Sequence, residues 1–187
     1  TNAAGDVVWV KQFGGTGSDA AYANDIDANG NIFVSGYFSG TMVVDGTTVV
    51  SNSGSQDAFL AKLDPAGDLL WIQTFGGNDH DFVYDLALDQ LGNAIITGNF
   101  KETVTIGPDT YTSTINPDQN EPSYDIFVVK YDPSGSVIWS KHGQAVRDDR
   151  GTGLAINANN EIALIGQFSD TLTFSNMYVN QVYNTGF

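Results

Sequence analysis

Oxygen-bearing side chains at alternate positions form the sharpest chemical motif in the sequence. Asp25, Asp27 and Asn29 precede Gly30, a spacing like that of the first half of a loop that wraps Ca²⁺. The twelfth position of such a loop, which would carry an acidic ligand, is Gly36. The alternative is a hairpin turn in which an Asp or Asn side chain caps the backbone and Asn-Gly adopts positive φ. The sequence favours the turn and leaves calcium as the one candidate cofactor.

A second candidate site is a polar loop that carries one of the two histidines. In the segment Asp79-His80-Asp81, a histidine between two carboxylates has the character of a general base or a metal ligand. Arg147-Asp148-Asp149 occupies the matching place in a later copy of the same pattern. No nucleophile and no repeated ligand set accompanies either segment. We therefore expect ligand-binding loops without catalytic residues, in a protein that is not an enzyme.

Composition limits the class of partner. The chain carries 7 Lys and Arg against 22 Asp and Glu, which gives a formal net charge of -15 at pH 7. Such a surface repels phosphate backbones and anionic lipid, so nucleic acid and membrane surfaces are disfavoured as partners. Without cysteine the chain has no disulfide and no thiolate metal site. No apolar run approaches the roughly 20 residues needed to span a bilayer.

The sequence contains an internal repeat, and the elements of that repeat must position the two candidate sites. An offset of 62 residues carries Trp9 onto Trp71, and an offset of 68 carries Trp71 onto Trp139. The six additional residues of the second interval fall in the polar stretch 116–122, which we interpret as a loop insertion. Two further sets recur at matching positions and, with the tryptophans, are predicted to be structural: Phe38, Phe100 and Phe168, and Gly36, Gly98 and Gly166.

Each copy predicts four main strands, so the expected fold is all-β, with tandem four-stranded blades of the β-propeller type. The predicted divisions are an outer strand of a preceding blade (1–13), blade repeat 1 (14–75), blade repeat 2 (76–142) and a partial blade repeat 3 (143–187). The tryptophan strand would be the outermost of its blade. Because a closed propeller needs about 4–8 blades, we expect a piece of a larger propeller, or association with other copies of the chain.

Five features resemble the bacterial "seven-bladed β-propeller" (SBBP) repeat: Trp71, Gly76-Gly77, Asp85 to Asp89, Gly92-Asn93 and Ile95 to Gly98. The resemblance covers nearly the whole chain. It implies a repeat module of large secreted or cell-surface bacterial proteins, extracellular in location and structural, adhesive or protein-binding in role. It implies no catalytic residues.

Two other functions stay open from the sequence. The Asp-rich loops and the tyrosines of irregular segments (Tyr111, Tyr178 and Tyr183) are compatible with a calcium-dependent or carbohydrate-binding, lectin-like propeller. A propeller enzyme is the third alternative, because the fold alone hosts many activities. The expected partner is a protein or a glycan at the cell surface.

Overall fold

The computed structural model describes residues 3–169, 171–174 and 177–180, and the regular secondary structure of this part of the chain is almost entirely β-strand. A single 3-10 turn (Asn52–Gly54) is the one helical element among these residues. The strands are β1 (Gly14–Gly15), β2 (Ala20–Ile26), β3 (Ile32–Ser39), β4 (Thr41–Val44), β5 (Thr47–Val50), β6 (Gln56–Leu63), β7 (Leu69–Phe75), β8 (Phe82–Leu88), β9 (Ala94–Lys101), β10 (Thr103–Ile106), β11 (Asp109–Thr112), β12 (Ile115–Asn116), β13 (Glu121–Pro122), β14 (Tyr124–Tyr131), β15 (Val137–Gln144), β16 (Arg150–Ile156), β17 (Ile162–Gln167), β18 (Thr171–Phe174) and β19 (Met177–Asn180).

The strands form antiparallel sheets that follow the repeat. Blade 1 is the sheet β2-β3-β6-β7, and blade 2 is the sheet β8-β9-β14-β15, each in chain order. The pair β16-β17 begins the third copy, and the hairpin β18-β19 joins the edge of blade 2 through β15. The expected all-β fold with tandem four-stranded blades is confirmed. The tryptophan strands β7 and β15 are the fourth strands of their blades.

The first two strands of each blade form a hairpin. The side chain of the first residue of its turn accepts hydrogen bonds that stabilise the turn. Asp27 and Asp89 accept backbone N–H groups two and four residues further on, as Asn157 does in the third copy. The turn needs one residue with positive φ, and Gly92 supplies it with φ +77° in blade 2. In the third copy Asn160 takes that role with φ +61°, which explains how the copy keeps its turn without glycine.

The blades pack face to face beside their first strands. Strand β2 lies beside β8, and β8 lies beside β16. One core of buried side chains spans blades 1 and 2 and includes Phe33, Phe75 and Phe127, and a second core around Ile126 joins blade 2 to the third copy. The first strands of successive blades therefore line one continuous inner face.

Two segments differ from the sequence predictions. The predicted outer strand at 1–13 is not seen, because residues 3–13 contain no strand and no described segment forms a hydrogen-bonded ladder with them. The predicted loop insertion at 116–122 contains part of a short hairpin in which β12 pairs with β13. In addition, β15 runs two residues past the predicted blade boundary at 142, because its end pairs with β18. Among the described residues no helix is long and apolar enough to cross a membrane.

Candidate binding surface on the inner strands

Every first strand carries a β-bulge at the same repeat position. The pairing with the second strand skips Tyr22 in β2, Tyr84 in β8 and Thr152 in β16. A bulge leaves its extra residue unpaired and re-aims the side chain. The second strands carry the recurring glycines beside these bulges: Gly36, Gly98 and Gly166. The repeat thus presents one residue per blade at the same place on the inner face.

Five aromatic side chains meet there and form what we call the tyrosine surface: Tyr22, Tyr37, Phe82, Tyr84 and Tyr124. Tyr22 and Tyr84, 62 residues apart in sequence, have stacked rings with centroids 5.7 Å apart. The Phe82 ring lies 5.1 Å from Tyr37 and 6.2 Å from Tyr124. Tyr22 is 52% exposed. About half of this residue is therefore accessible to a partner, while ring contacts with Tyr37 and Tyr84 hold the side chain in place.

Charged side chains border the tyrosine surface. Lys101 Nζ lies 5.7 Å from the Tyr124 ring centroid and 3.2 Å from the Asp79 carboxylate. Burial raises the pKa of Tyr124 to about 12, with Asp79 adding to the rise and the exposed Arg150 opposing it. Burial also raises the pKa of Tyr84, again against the charge of Arg150. Both phenols therefore stay protonated at neutral pH and can donate hydrogen bonds.

The first predicted ligand-binding loop lies at the edge of this surface. The Asp79 carboxylate accepts the backbone N–H of His80 at 2.8 Å. His80 Nδ1 accepts the backbone N–H of Gln56 at 3.3 Å, and its ring lies 6.1 Å from Phe82. Asp81 is fully buried. The structure therefore brings His80 and Asp79 beside the tyrosine surface and assigns Asp81 to the interior.

In the matching loop of the third copy, the first two residues likewise lie at the surface and the third is buried. Arg147 pairs with Asp118 of the inserted hairpin, with Nη2 and Oδ2 2.6 Å apart. Asp148 accepts the backbone N–H of Tyr124 at 3.1 Å, next to the tyrosine surface. Asp149 is fully buried. Ligand binding by these loops stays a prediction, and only their outer residues are placed for it.

The residues of the calcium motif hold a turn. Asp27 Oδ1 accepts the backbone N–H groups of Asn29 and Asn31 at 2.9 Å, and Oδ2 lies 3.7 Å from Lys62 Nζ. Burial would raise the pKa of Asp27, but hydrogen bonds from Asn31 and Asn29 and the charge of Lys62 lower it. Asp25 accepts a backbone N–H from β8. Within the described residues no group of three or more His, Asp or Glu is arranged to hold a metal ion. Calcium binding stays a prediction, and these contacts favour the turn.

Two of the three recurring tryptophans, Trp9 and Trp71, hydrogen-bond to a turn of the blade that follows them. Trp71 Nε1 donates to the Pro133 carbonyl at 3.1 Å, and Trp9 Nε1 donates to the Pro65 carbonyl at 3.2 Å. The indole of Trp71 covers the glycine of that turn so closely that a Cβ at Gly135 would lie 3.0 Å from it. Trp9 thus occupies the position of Trp71 one repeat earlier, although no strand carries it.

The other recurring aromatics lie in the packed interior. Phe38 and Phe100 have no exposed surface, and Phe168 packs against the core between blade 2 and the third copy. Trp139 is partly buried on β15.

Of the tyrosines predicted for carbohydrate stacking, only Tyr111 has a described side chain, and it does not belong to the tyrosine surface. The Tyr111 hydroxyl hydrogen-bonds to Ser140 Oγ at 2.8 Å, and its ring packs 4.5 Å from that of His142. Tyr183 lies outside the described residues, and Tyr178 lies on β19, of which only the backbone is described.

Sequence reasoning missed the tyrosine surface. The offset of 62 residues also carries Tyr22 onto Tyr84, but no role was assigned to either residue. One signal was available in the sequence. The position of Tyr22 and Tyr84 holds Thr152 in the third copy, whereas the position of Gly36 and Gly98 holds glycine in all three copies. Tyr37 and Tyr124 carry no such signal, because their proximity depends on how the blades stack.

No family model matches the chain. An uncharacterized WD repeat-containing protein of Acanthamoeba polyphaga mimivirus is 28% identical to it over 211 aligned residues. The alignment covers 96% of this chain and 15% of the relative. The similarity, together with the blades described above, supports a repeat fold of the β-propeller type. None of the three tryptophans here is followed by Asp, so the WD dipeptide itself is absent from the sequence.

Proposed function

We propose that this chain is a non-catalytic, protein-binding module of the β-propeller type, and that the tyrosine surface is where it binds its partner. The observation that carries the proposal is the recurring bulge, which places Tyr22 and Tyr84 side by side on the inner face. Bulges often re-aim side chains at functional sites. A bulge that recurs at one repeat position therefore indicates a functional arrangement. The similarity to a WD repeat-containing protein supports a propeller-type scaffold.

The chemistry of the surface suits a protein partner. Tyrosine is enriched at protein interfaces because its rigid ring buries apolar area while its hydroxyl keeps a hydrogen bond. Here Tyr22 offers a half-exposed side chain, and the phenols of Tyr84 and Tyr124 are donors at neutral pH. A location in a secreted or cell-surface bacterial protein, with an adhesive role, is part of this proposal and rests on the resemblance of the sequence alone.

Selection from a phage-displayed library of random peptides tests the proposal. We expect peptides that bind this chain and lose about tenfold or more in affinity when Tyr22→Ala removes the exposed ring. Leu70→Ala is the matched control, because Leu70 is 53% exposed on the outer strand of the same blade, against 52% for Tyr22. A library that yields no binder, or binders indifferent to Tyr22→Ala, would overturn the proposal.

A glycan array with the same two variants tests the lectin alternative. Glycan binding that depends on Tyr22, without any peptide binding, would replace the protein partner by a carbohydrate. Absence of glycan binding beside Tyr22-dependent peptide binding would support the protein-binding module.

A further inference from the structure

Arg150 stands at a position where the blade needs no arginine. It begins β16 and pairs with Gln167, as Phe82 begins β8 and pairs with Asn99. In β2 the same repeat position is Ala20. Three chemically different side chains occupy this position in the same backbone geometry. The fold therefore does not require a guanidinium there.

Arg150 is also one of two basic side chains that lack an acidic partner in the part of the chain that the structure describes. Five of the seven basic residues lie within 4.0 Å of a carboxylate: Lys11, Lys62, Lys101, Lys130 and Arg147. The other two are Lys141 and Arg150. Arg150 is exposed, and its backbone lies beside the tyrosine surface, because the preceding residue, Asp149, donates its N–H to the Tyr124 carbonyl at 2.7 Å.

Two carboxylates at the edge of the tyrosine surface have other partners. Asp79 is paired with Lys101 and accepts the N–H of His80. Asp148 accepts the backbone N–H of Tyr124. Among the described residues no ion pair holds the Arg150 guanidinium, and the phenols of Tyr84 and Tyr124 near it carry no charge at neutral pH.

We propose that Arg150 binds a carboxylate of the partner, so that the tyrosine surface selects a peptide segment in which an acidic residue stands close to an apolar or aromatic one. This inference rests on the proposed function and names the partner's chemistry. A guanidinium presents a planar set of donors that matches a carboxylate in a two-point contact. The rings of Tyr22 and Phe82 would take the apolar residue, and the phenol of Tyr84 would donate to the peptide.

The overall charge of the chain restricts the anion. At a formal net charge of -15, the long-range field opposes a phosphate group with nearly two charges more than a single carboxylate. A cationic segment would gain from that field but would place its charge against Arg150 and Lys101. A segment with one carboxylate and little other charge fits both the local and the overall electrostatics.

The test uses the consensus peptide from the library selection and two charge reversals in the whole chain. Arg150→Glu and Lys141→Glu change the net charge equally, and both residues are exposed and without an ion pair among the described residues. We expect the consensus to contain an acidic residue, and Arg150→Glu to weaken its binding at least about tenfold while Lys141→Glu leaves affinity within about twofold. A peptide with Lys in place of the acidic residue should bind the Arg150→Glu variant better than the parent.

The outcomes separate this inference from the function it deepens. A consensus that needs Tyr22 but contains no acidic residue, or that tolerates Arg150→Glu, would overturn the role of Arg150 and leave the tyrosine surface as the binding site. Equal losses in the two charge-reversal variants would show a general field effect and would also overturn it. A selection that yields no peptide would remove the proposed function and this inference together.

Discussion

Asp57 and Asp81 bring two carboxyl groups into the interior where blade 1 meets blade 2. The Asp57 carboxylate lies against Gly76, and Asp81 Oδ2 accepts the N–H of Gly77 at 2.8 Å, whereas Asp81 Oδ1 has no hydrogen-bond partner. Burial raises the pKa of Asp81 to about 8, and the charge of Asp57 adds to the rise. A proton on Asp81 would remove the repulsion and turn the unpaired oxygen into a donor.

The next junction repeats the arrangement with Asp125 and Asp149. Burial raises the pKa of each to about 7, and Asp149 Oδ2 again has no partner. Two successive junctions between blades share this arrangement. The protonated carboxyl is therefore a recurring feature of the repeat.

We predict that Asp81→Asn stabilises the protein at pH 8 and flattens its stability between about pH 4 and pH 8. The folded state keeps on Asp81 a proton that the unfolded chain releases near its ordinary pKa of 3.8, so the free energy of unfolding falls as the pH rises towards about 8. The asparagine amide replaces the proton and removes the contribution of Asp81 to that dependence, while Asp57, Asp125 and Asp149 keep theirs. Melting temperatures measured across this pH range test the prediction.

Asp19→Asn is the matched control, because Asp19 has the same repeat position and accepts the N–H of Gly15 at 2.8 Å but is partly exposed. If Asp81→Asn lowered the melting temperature at pH 8 as well as at pH 4, the carboxyl would be needed in its charged form and the interpretation would be wrong.

At the scale of the strands, the bulges depend on glycine. A Cβ added to Gly98 would lie 1.7 Å from the carbonyl oxygen of Phe82, and the equivalent atoms at Gly36 and Gly166 would lie 1.9 and 2.2 Å from the oxygens of Ala20 and Arg150. No L side chain fits such a distance without moving backbone. The recurring glycine thus allows the close approach of first and second strands at the point where the tyrosines are displayed.

Gly98→Ala should therefore destabilise the fold by about 3 kcal/mol and shift Phe82, weakening peptide binding at the tyrosine surface. Denaturant unfolding and the selected peptide measure the two effects. Gly46→Ala is an instructive control, because Gly46 has φ +79° but nothing within 4 Å of an added Cβ. That variant should cost only about 1 kcal/mol of backbone strain and leave binding unchanged. Binding by the Gly98→Ala variant at parental affinity would contradict the role assigned to the bulge.

The sequence predicted the strands much better than the surface they form. The repeat marked by Trp9, Trp71 and Trp139 was sufficient to predict the four main strands of each blade, because each copy must fold in the same way. A bulge, however, is a property of register between two strands, and the alternation of side chains around Tyr22 does not reveal it. The pairing of β12 with β13 was missed for a related reason, since a strand two residues long has no periodicity.

At the scale of the whole molecule, neighbouring blades share one interior. The ring of Phe75 on the last strand of blade 1 meets that of Phe127 on the third strand of blade 2 edge to face, with centroids 5.1 Å apart. Both belong to one buried cluster with Phe33 and Val83. In repeat architectures the interface with the next repeat supplies much of each unit's stability. Blade 1 and blade 2 are therefore expected to unfold together.

Phe75→Ala tests this coupling. Phe75 is 6% exposed, so its truncation leaves a cavity that costs about 3–5 kcal/mol, and we expect the loss to appear in both blades. Hydrogen exchange should show the amides of β8 and β9 losing as much protection as those of β3 and β6, in step with a single denaturant transition. Leu70→Ala, on the same strand but 53% exposed, should change stability by no more than about 0.5 kcal/mol. If β8 and β9 kept their protection in the Phe75→Ala variant, blade 2 would fold independently of blade 1, and the contact between Tyr22 and Tyr84 would join two separate units.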